Sequence, residues 1–369
     1  MSAAASGQVG VGIIGAGVIS GQYLDNLTSF ADVEVRFIAD LDLARAQAQA
    51  EAYGVAGHGT VDELLAREDV EIVVNLTIPA VHVEVGLQIV AAGKHVWSEK
   101  PIALDRESGR RLLDAAAAAG VRVACAPDTF LGAGLQTAFR ALAAGEIGQP
   151  LTALAAAQSA GPESWHPNPA FLFDTGAGPL FDIGPYYLTA LVQIFGPVSR
   201  VSATASTARP SRTIGSGPLA GTDFPVVVPS HHAALLEFES GASAQAIFSF
   251  DTHIAREAIV EVGGSAGGIE LPDPNTFEGA STLWQPGEPG RELDAEGSTW
   301  GRGSGVVDLA RAIRAGVPER ASGELAFHVL DVMVSIADAA ARGRAVDVAS
   351  TVGPQAPLPA DWDPSAATL

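Results

Sequence analysis

The stretch "WSEKPIAL", residues 97–104, sets Lys100 between Glu99 and Pro101 directly after an apolar, strand-like run. Only 21 of 369 residues are Lys or Arg, so a lysine locked in that setting is a placed cation. Such a group supplies a hydrogen-bond donor and positive charge where negative charge forms on a reacting oxygen. A second stretch, "GAGVIS", has the G-x-G-x-x-S form of a dinucleotide fingerprint at Gly15, Gly17 and Ser20. Gly15 permits a tight strand-to-helix turn, Gly17 removes a side chain that would block pyrophosphate, and Ser20 allows close helix–strand packing. The helix opening at Val18 and Ile19 offers unpaired N–H groups to phosphates. Asp40 closes the second strand about 20 residues on, where an acid accepts from both ribose hydroxyls of NAD and repels the 2′-phosphate of NADP. NAD is therefore the expected cofactor, preferred over NADP. The alternatives are a plain turn at the glycines and a helix N-cap at Asp40, although Asp42 can cap the same helix.

The elements that must carry these residues follow from hydrophobic periodicity. Strand-like "VGVGII", "VEVRFIAD", "VEIVVNLTIP", "KHVWSEKP" and "VRVACAP" alternate with helix-like "LARAQAQAEAYG", "VHVEVGLQIVAAG" and "RESGRRLLDAAAAAG". That rhythm predicts an N-terminal Rossmann domain, a doubly wound parallel sheet over residues 1–127. It also puts Lys100 at the carboxyl edge, where ligands bind in such sheets. Beyond about residue 130 the rhythm changes to longer alternating stretches such as "HHAALLEFES", "GASAQAIFSFDT" and "EAIVEVGG", with few helices between them. Residues 128–369 are thus expected to form an α+β domain with a large, open, mainly antiparallel sheet. "PSRTIGSGPLAGTDFP" reads as a long loop. An open sheet needs cover, so a homodimer or homotetramer through that face is expected.

Composition narrows the function classes. A net charge of −21 leaves no basic surface for nucleic acid, and no apolar run approaches the ~20 residues of a membrane span. The start "MSAAASGQ" lacks the pattern of a secretory leader, and the single cysteine, Cys125, sits in an apolar run; both fit a cytoplasmic location. The eight histidines never reach a metal-ligand spacing with cysteine, and adjacent His231 and His232 in a strand point to opposite faces, so no metal is expected.

The fingerprint, the acid after strand two, "TIPAVHVEVGLQIVAAGKHVWSEKPIAL" and "GAGPLFDIGPYYLTALVQIFGPV" together resemble the Gfo/Idh/MocA family, the relatives of glucose-fructose oxidoreductase and inositol dehydrogenase. The resemblance covers essentially the whole chain. It implies that Lys100 reaches both nicotinamide ribose and substrate hydroxyl, that Pro101 aims it through a cis bond, and that Glu99 belongs to the same cofactor-facing motif. It also implies cofactor contacts at Thr77, Pro79 and His82, although His82 read alone is a helix residue bonded to backbone.

"FDIGPYY" stands where many relatives have D-x-G-x-H, with an aspartate on substrate and a histidine as proton acceptor; here Tyr186 takes the histidine's place. Pro185 belongs in a first helical turn, which starts a helix near Phe181 or Asp182 and puts Asp182 and Tyr186 four apart on one face. Three assignments of the base stay open: a Lys100–Tyr186 couple with Asp182 orienting the hydroxyl, Lys100 alone with Tyr186 shaping the pocket, or His166 of "ESWHPNP". Trp165 of the same segment suits stacking on a pyranose face. The expected activity is NAD-dependent oxidation of a secondary hydroxyl of a sugar, glycoside or cyclitol. The alternatives are a redox-neutral NAD-dependent glycosidase with transient oxidation and a non-catalytic cofactor-binding regulator.

Overall fold

The computed structural model describes residues 7–369, and the chain divides into two compact units. One runs up to Gly132 and takes in Gly297–Phe327 and Pro359–Leu369; the other comprises Ala133–Glu296 and His328–Leu358. The first unit is built on a six-stranded parallel sheet of β1 (Val9–Ile14), β2 (Val33–Ala39), β3 (Gly57–Gly59), β4 (Ile72–Asn75), β5 (His95–Ser98) and β6 (Val123–Cys125). Its order, β3-β2-β1-β4-β5-β6, reverses direction at β1. That is the doubly wound order whose crevice lies at the carboxyl ends of the strands. β1 and β4 are buried along their whole length, so the apolar runs that read as strands are covered on both faces.

A single cut at residue 127 leaves out two returns of the chain to this unit. The helix Ser304–Ala315 sends Arg311 to Asp32 (Nε to Oδ2 2.7 Å) and Arg314 to Glu71 in a two-pronged pair of 2.7 and 2.6 Å. The chain end closes on the same Asp32, which accepts from the Thr368 hydroxyl (2.6 Å), Thr368 N–H (2.7 Å) and Leu369 N–H (3.0 Å). Asp32 is 1% exposed, and burial alone would raise it. The Thr368 hydroxyl and N–H, Arg311 and the Leu369 N–H outweigh burial and hold the carboxyl below its ordinary range. A depressed carboxyl contributes stability that is present above the unfolded value near ~3.9 and is lost as pH falls through the folded value. Asp32→Asn is therefore expected to cost about 1.5–3 kcal/mol in urea melts at pH 7. The gap to wild type should narrow below about pH 4. A gap that persists unchanged at low pH would contradict this account.

The second unit carries β7 (Pro150–Gln158), β8 (Val198–Ser206), β9 (Ser211–Thr213), β10 (Asp223–Pro225), β11 (His231–Phe238), β12 (Ser243–Ser249), β13 (Arg256–Gly264), β14 (Gly268–Glu270), β15 (Ser281–Trp284), β16 (Arg291–Leu293) and β17 (Val346–Asp347). Nine of these form one sheet, ordered β16-β15-β14-β13-β7-β12-β11-β8-β17. Every neighbouring pair is antiparallel except β7 with β12. Along β11, His232, Ala234, Leu236 and Phe238 are buried while Leu235 and Glu237 are exposed. This is the alternation of a sheet with one covered face. His231 and His232 turn to opposite sides as expected, and burial, then His231, pushes His232 down to about 4.

Two local expectations are corrected. The segment expected as a long loop holds the two-stranded ribbon of β9 and β10. The ribbon forms because Arg212 and Phe224 are buried: Phe224 packs on Phe173 at 5.4 Å, a long-range contact too short to show as sequence alternation. "FDIGPYY" is also not one helix. Gly178–Asp182 and Gly184–Phe195 are separate helices meeting at Ile183, because Pro185 has no N–H to continue the ladder. Asp182 therefore ends one helix and Tyr186 lies in the first turn of the next.

Candidate active site

At the carboxyl edge of the first sheet, β1 is followed by Gly15, whose φ of +102° makes the turn into the helix Val18–Leu27. A Cβ there would stand 2.7 Å from the Leu76 carbonyl oxygen, so only glycine fits. Gly17 differs. Its φ of −75° suits any residue, and a Cβ on it would meet nothing within 4 Å. Neither backbone strain nor packing asks for glycine at 17; the open space above the helix N-terminus is what a larger side chain would fill. Asp40 reaches into this turn, its Oδ2 accepting from Ala16 N–H (2.7 Å) and its Oδ1 from Asp42 N–H (2.8 Å). The capping role belongs to Asp42, which accepts from the N–H groups of Ala44 and Arg45.

Around the same edge, Val18 after β1, Leu41 after β2 and Ile78 after β4 are 96%, 97% and 67% exposed. Large apolar side chains gathered in solvent at one sheet edge mark a surface that a ligand covers. Leu41 and Ile78 escaped sequence reasoning; the signal for Leu41 was an apolar residue between the two acids of "DLD".

The Lys100 turn is held from inside the unit. Trp97 Nε1–H donates to the Tyr23 hydroxyl (3.0 Å), which donates to Glu99 Oε1 (2.8 Å), while Glu99 Oε2 accepts from Lys100 N–H (3.2 Å). The Arg302 guanidinium stands 3.8 Å from Glu99 Oε1. Asp128, fully buried, accepts from the N–H groups of Gly303 (2.9 Å) and Gly305 (3.1 Å). Burial pushes Asp128 up to about 6, with Arg302 and those two N–H groups pulling the other way. Burial, then Glu99 and Asp128, raises Tyr23 well above the phenol range, so it stays a donor. Glu99, expected at the cofactor, is thus turned inward and fixes the backbone from which Lys100 extends. The Lys100–Pro101 bond is cis, as is Ala126–Pro127.

His82 is likewise turned inward. Its ring is buried, with Nδ1 2.8 Å from Pro101 O and Nε2 2.9 Å from Thr77 O. Both nitrogens face backbone carbonyls, to one of which a neutral ring donates, so His82 links the "TIP" turn to the Lys100 turn. The Thr77 hydroxyl donates to Asn75 Oδ1 (2.7 Å), and Pro79 is exposed. Gly15, Gly17, Asp40, Thr77, Pro79 and Lys100 share the carboxyl edge of one sheet. The second unit carries the other candidates. Asp182 is half-buried, Tyr186 is 4% exposed, and Trp165 and His166 lie on an irregular segment after β7. Among the described residues no group of three His, Cys, Asp or Glu side chains could hold a metal ion, and no helix is long and apolar enough to cross a membrane.

Residues 9–126 match the oxidoreductase family with an NAD-binding Rossmann fold, and residues 135–270 match the Gfo/Idh/MocA C-terminal domain. The chain belongs to the Gfo/Idh/MocA family of oxidoreductases. An uncharacterised oxidoreductase of Rhizobium meliloti is 30% identical over 267 residues, 71% of this chain and 74% of that one. Inositol 2-dehydrogenase 3 of Saccharopolyspora erythraea is 27% identical over 269 residues, 72% of this chain and 74% of that one. A levoglucosan dehydrogenase solved with NADH and L-sorbose shares the fold at a TM-score of 0.81, covering 94% of this chain and 100% of that one at 20% identity.

The first unit is the NAD(H)-binding domain of this Gfo/Idh/MocA protein, and the open cradle at Gly17 fits the group. Gly17→Asn tests it, because asparagine is a favoured N-cap at an ordinary φ and costs the fold little. The melting temperature should hold within about 2 °C while NADH affinity, read by nicotinamide fluorescence, drops at least about tenfold. Unchanged NADH affinity would remove the phosphate-cradle assignment.

Proposed function

We propose that this protein is a dehydrogenase that oxidises a secondary hydroxyl of a sugar, glycoside or cyclitol, with NAD preferred over NADP. The observation that carries the reading is Lys100, extended from a turn that Glu99, Tyr23, Trp97 and Arg302 lock from behind, at the sheet edge that also holds the Gly17 cradle. The activities named for the inositol and levoglucosan relatives support the substrate class. Bound NAD supplies the hydride acceptor. Lys100 Nζ, entering the step as the amine, accepts the substrate hydroxyl's proton as the carbinol carbon gives up hydride, and the ammonium so formed donates to the oxygen on which charge develops. Asp182 orients the hydroxyl, and the buried Tyr186 shapes the pocket. His166 is better suited to donate than to act as base: its Nδ1 accepts from Asn168 N–H (3.1 Å), which leaves the proton of a neutral ring on Nε2.

The outward face of the nine-stranded sheet leaves Leu235 and Trp284 56% and 46% exposed, which supports assembly of identical subunits through it. The test of the activity is absorbance of reduced nicotinamide when the protein meets NAD and a panel of pyranoses, anhydro-sugars, glycosides and inositols. A rise with a ring polyol is expected. No rise with any of them while NADH still binds would overturn the dehydrogenase reading and favour redox-neutral glycoside cleavage.

A further inference from the structure

We propose that Trp165, His166 and Phe171 form a preorganised aromatic wall for the apolar face of a ring-form polyol, and that Arg212 is the residue that positions it. The proposal rests on the polyol-dehydrogenase reading and adds to it a specificity for closed rings. The segment between β7 and the helix Gly178–Asp182 has no strand and only two short 3-10 turns, Pro162–Ser164 and Ala170–Phe173. It leaves Trp165 68% and Phe171 54% exposed. The three rings meet edge to face: Trp165 to His166 at 5.5 Å and 72°, His166 to Phe171 at 5.4 Å and 65°. An irregular segment free to move would fold such rings onto the core. This one is fastened on both sides of them.

Arg212, 4% exposed, does the fastening. Its Nη1 donates to Ala160 O (3.0 Å) and pairs with Glu163. Its Nη2 donates to Phe250 O (2.6 Å) and pairs with Asp251 (2.5 Å). The guanidinium also lies over the Phe173 ring at 4.7 Å. Backbone bonds hold the same two ends, from Gly215 N–H to Glu163 O (2.9 Å) and from Val227 N–H to Phe173 O (2.9 Å). Between these anchors the aromatic side chains are turned to solvent. The wall thus offers apolar ring surface and one donor, His166 Nε2–H. A closed polyol ring matches it, with axial C–H groups on one face and hydroxyls around the rim; an open-chain polyol presents no such flat face. Rings held in place before binding also spare the ligand the cost of ordering them.

The test compares myo-inositol and methyl β-D-glucopyranoside with open-chain sorbitol, by initial rates with NAD and by calorimetric binding to NADH-loaded protein. Phe171→Ala alters an exposed ring and leaves the fold intact. It should raise KM and Kd for the ring polyols about tenfold, with kcat within about twofold and sorbitol unaffected. Trp165→Ala should do the same, and Phe171→Trp should restore affinity. Arg212→Lys should raise KM for ring polyols in wild type but add little on Phe171→Ala, while its loss of melting temperature is equal in both; a merely structural role predicts equal KM effects in both backgrounds. Turnover with KM and Kd unmoved by Phe171→Ala, or a change in oligomeric mass alone, overturns the wall and leaves the dehydrogenase reading standing. Ring-polyol binding that Phe171→Ala abolishes, without turnover in wild type, overturns the dehydrogenase reading and keeps the wall. Absence of both binding and turnover with every polyol overturns both.

Discussion

Lys100→Ala is expected to lower kcat/KM for the reactive polyol by about 10²–10⁴-fold, the range for a group that handles a proton in the transition state. That corresponds to about 2.7–5.4 kcal/mol of transition-state stabilisation. NADH affinity should change far less, because the cradle at Gly15 and Gly17 and the acid at Asp40 do not depend on this side chain. The backbone of the turn should also hold. The bonds that fix the turn come from Tyr23 to Glu99 and from the backbone N–H of residue 100, and alanine keeps that N–H. Lys100→Arg separates two roles: an arginine keeps the positive charge but does not give up its proton. Recovery by arginine would assign Lys100 to charge stabilisation alone, and failure to recover would assign it to proton transfer as well. Initial rates with NAD, beside fluorescence titration of NADH, decide the matter; full activity in Lys100→Ala would remove the lysine from the chemistry.

The second large effect is expected at Asp40. Replacing Asp40 with serine and Leu41 with arginine should shift the NAD to NADP preference by about a hundredfold, since one carboxylate is lost and a cation gained where the 2′-phosphate would lie. The structure adds a refinement. Asp40 accepts from both Ala16 N–H and Asp42 N–H, so its removal also loosens the glycine turn and should weaken binding of both cofactors. Asp40→Asn is the intermediate case: its one amide oxygen keeps one of the two turn bonds, its NH2 faces the other N–H, and the charge is gone. Ratios of kcat/KM for NAD and NADP across the three proteins give the answer; an unchanged ratio in the double variant would sink the ribose assignment.

The features that sequence disclosed are those written in short-range patterns. Period-two and longer apolar runs separated by helical spacing disclosed the parallel sheet, because each strand and helix buries its own stripe and the next connection must be a crossover. Gly15, Gly17 and Asp40 were readable because a glycine turn followed by an acid at the end of the next strand needs particular residue types at particular places. "EKP" stood out because a lysine is scarce in this chain. The same local logic did not reveal the protein partners of Glu99 and His82, the Tyr23 hydroxyl and Lys100 N–H for one and two backbone carbonyls for the other.

Tertiary structure decided whatever depends on residues distant in sequence. No periodicity announces that Arg302 and Asp128 stand behind Glu99, or that Thr368 and Leu369 close on Asp32. A buried charge is tolerated only beside its partners, and those come from wherever the chain happens to return. For the same reason a cut near residue 127 missed the return of Gly297–Phe327 and Pro359–Leu369 to the first unit. "SRT" and "DFP" became a ribbon only because Arg212 and Phe224 are buried against distant partners. By itself the sequence determined the family, the parallel sheet with its nucleotide turn, and Lys100 at its edge, because the apolar runs, the glycine that the turn requires at 15 and the order of the elements are all short-range features. Which side chains face a ligand and which face one another was left to packing, where long-range partners settle each orientation.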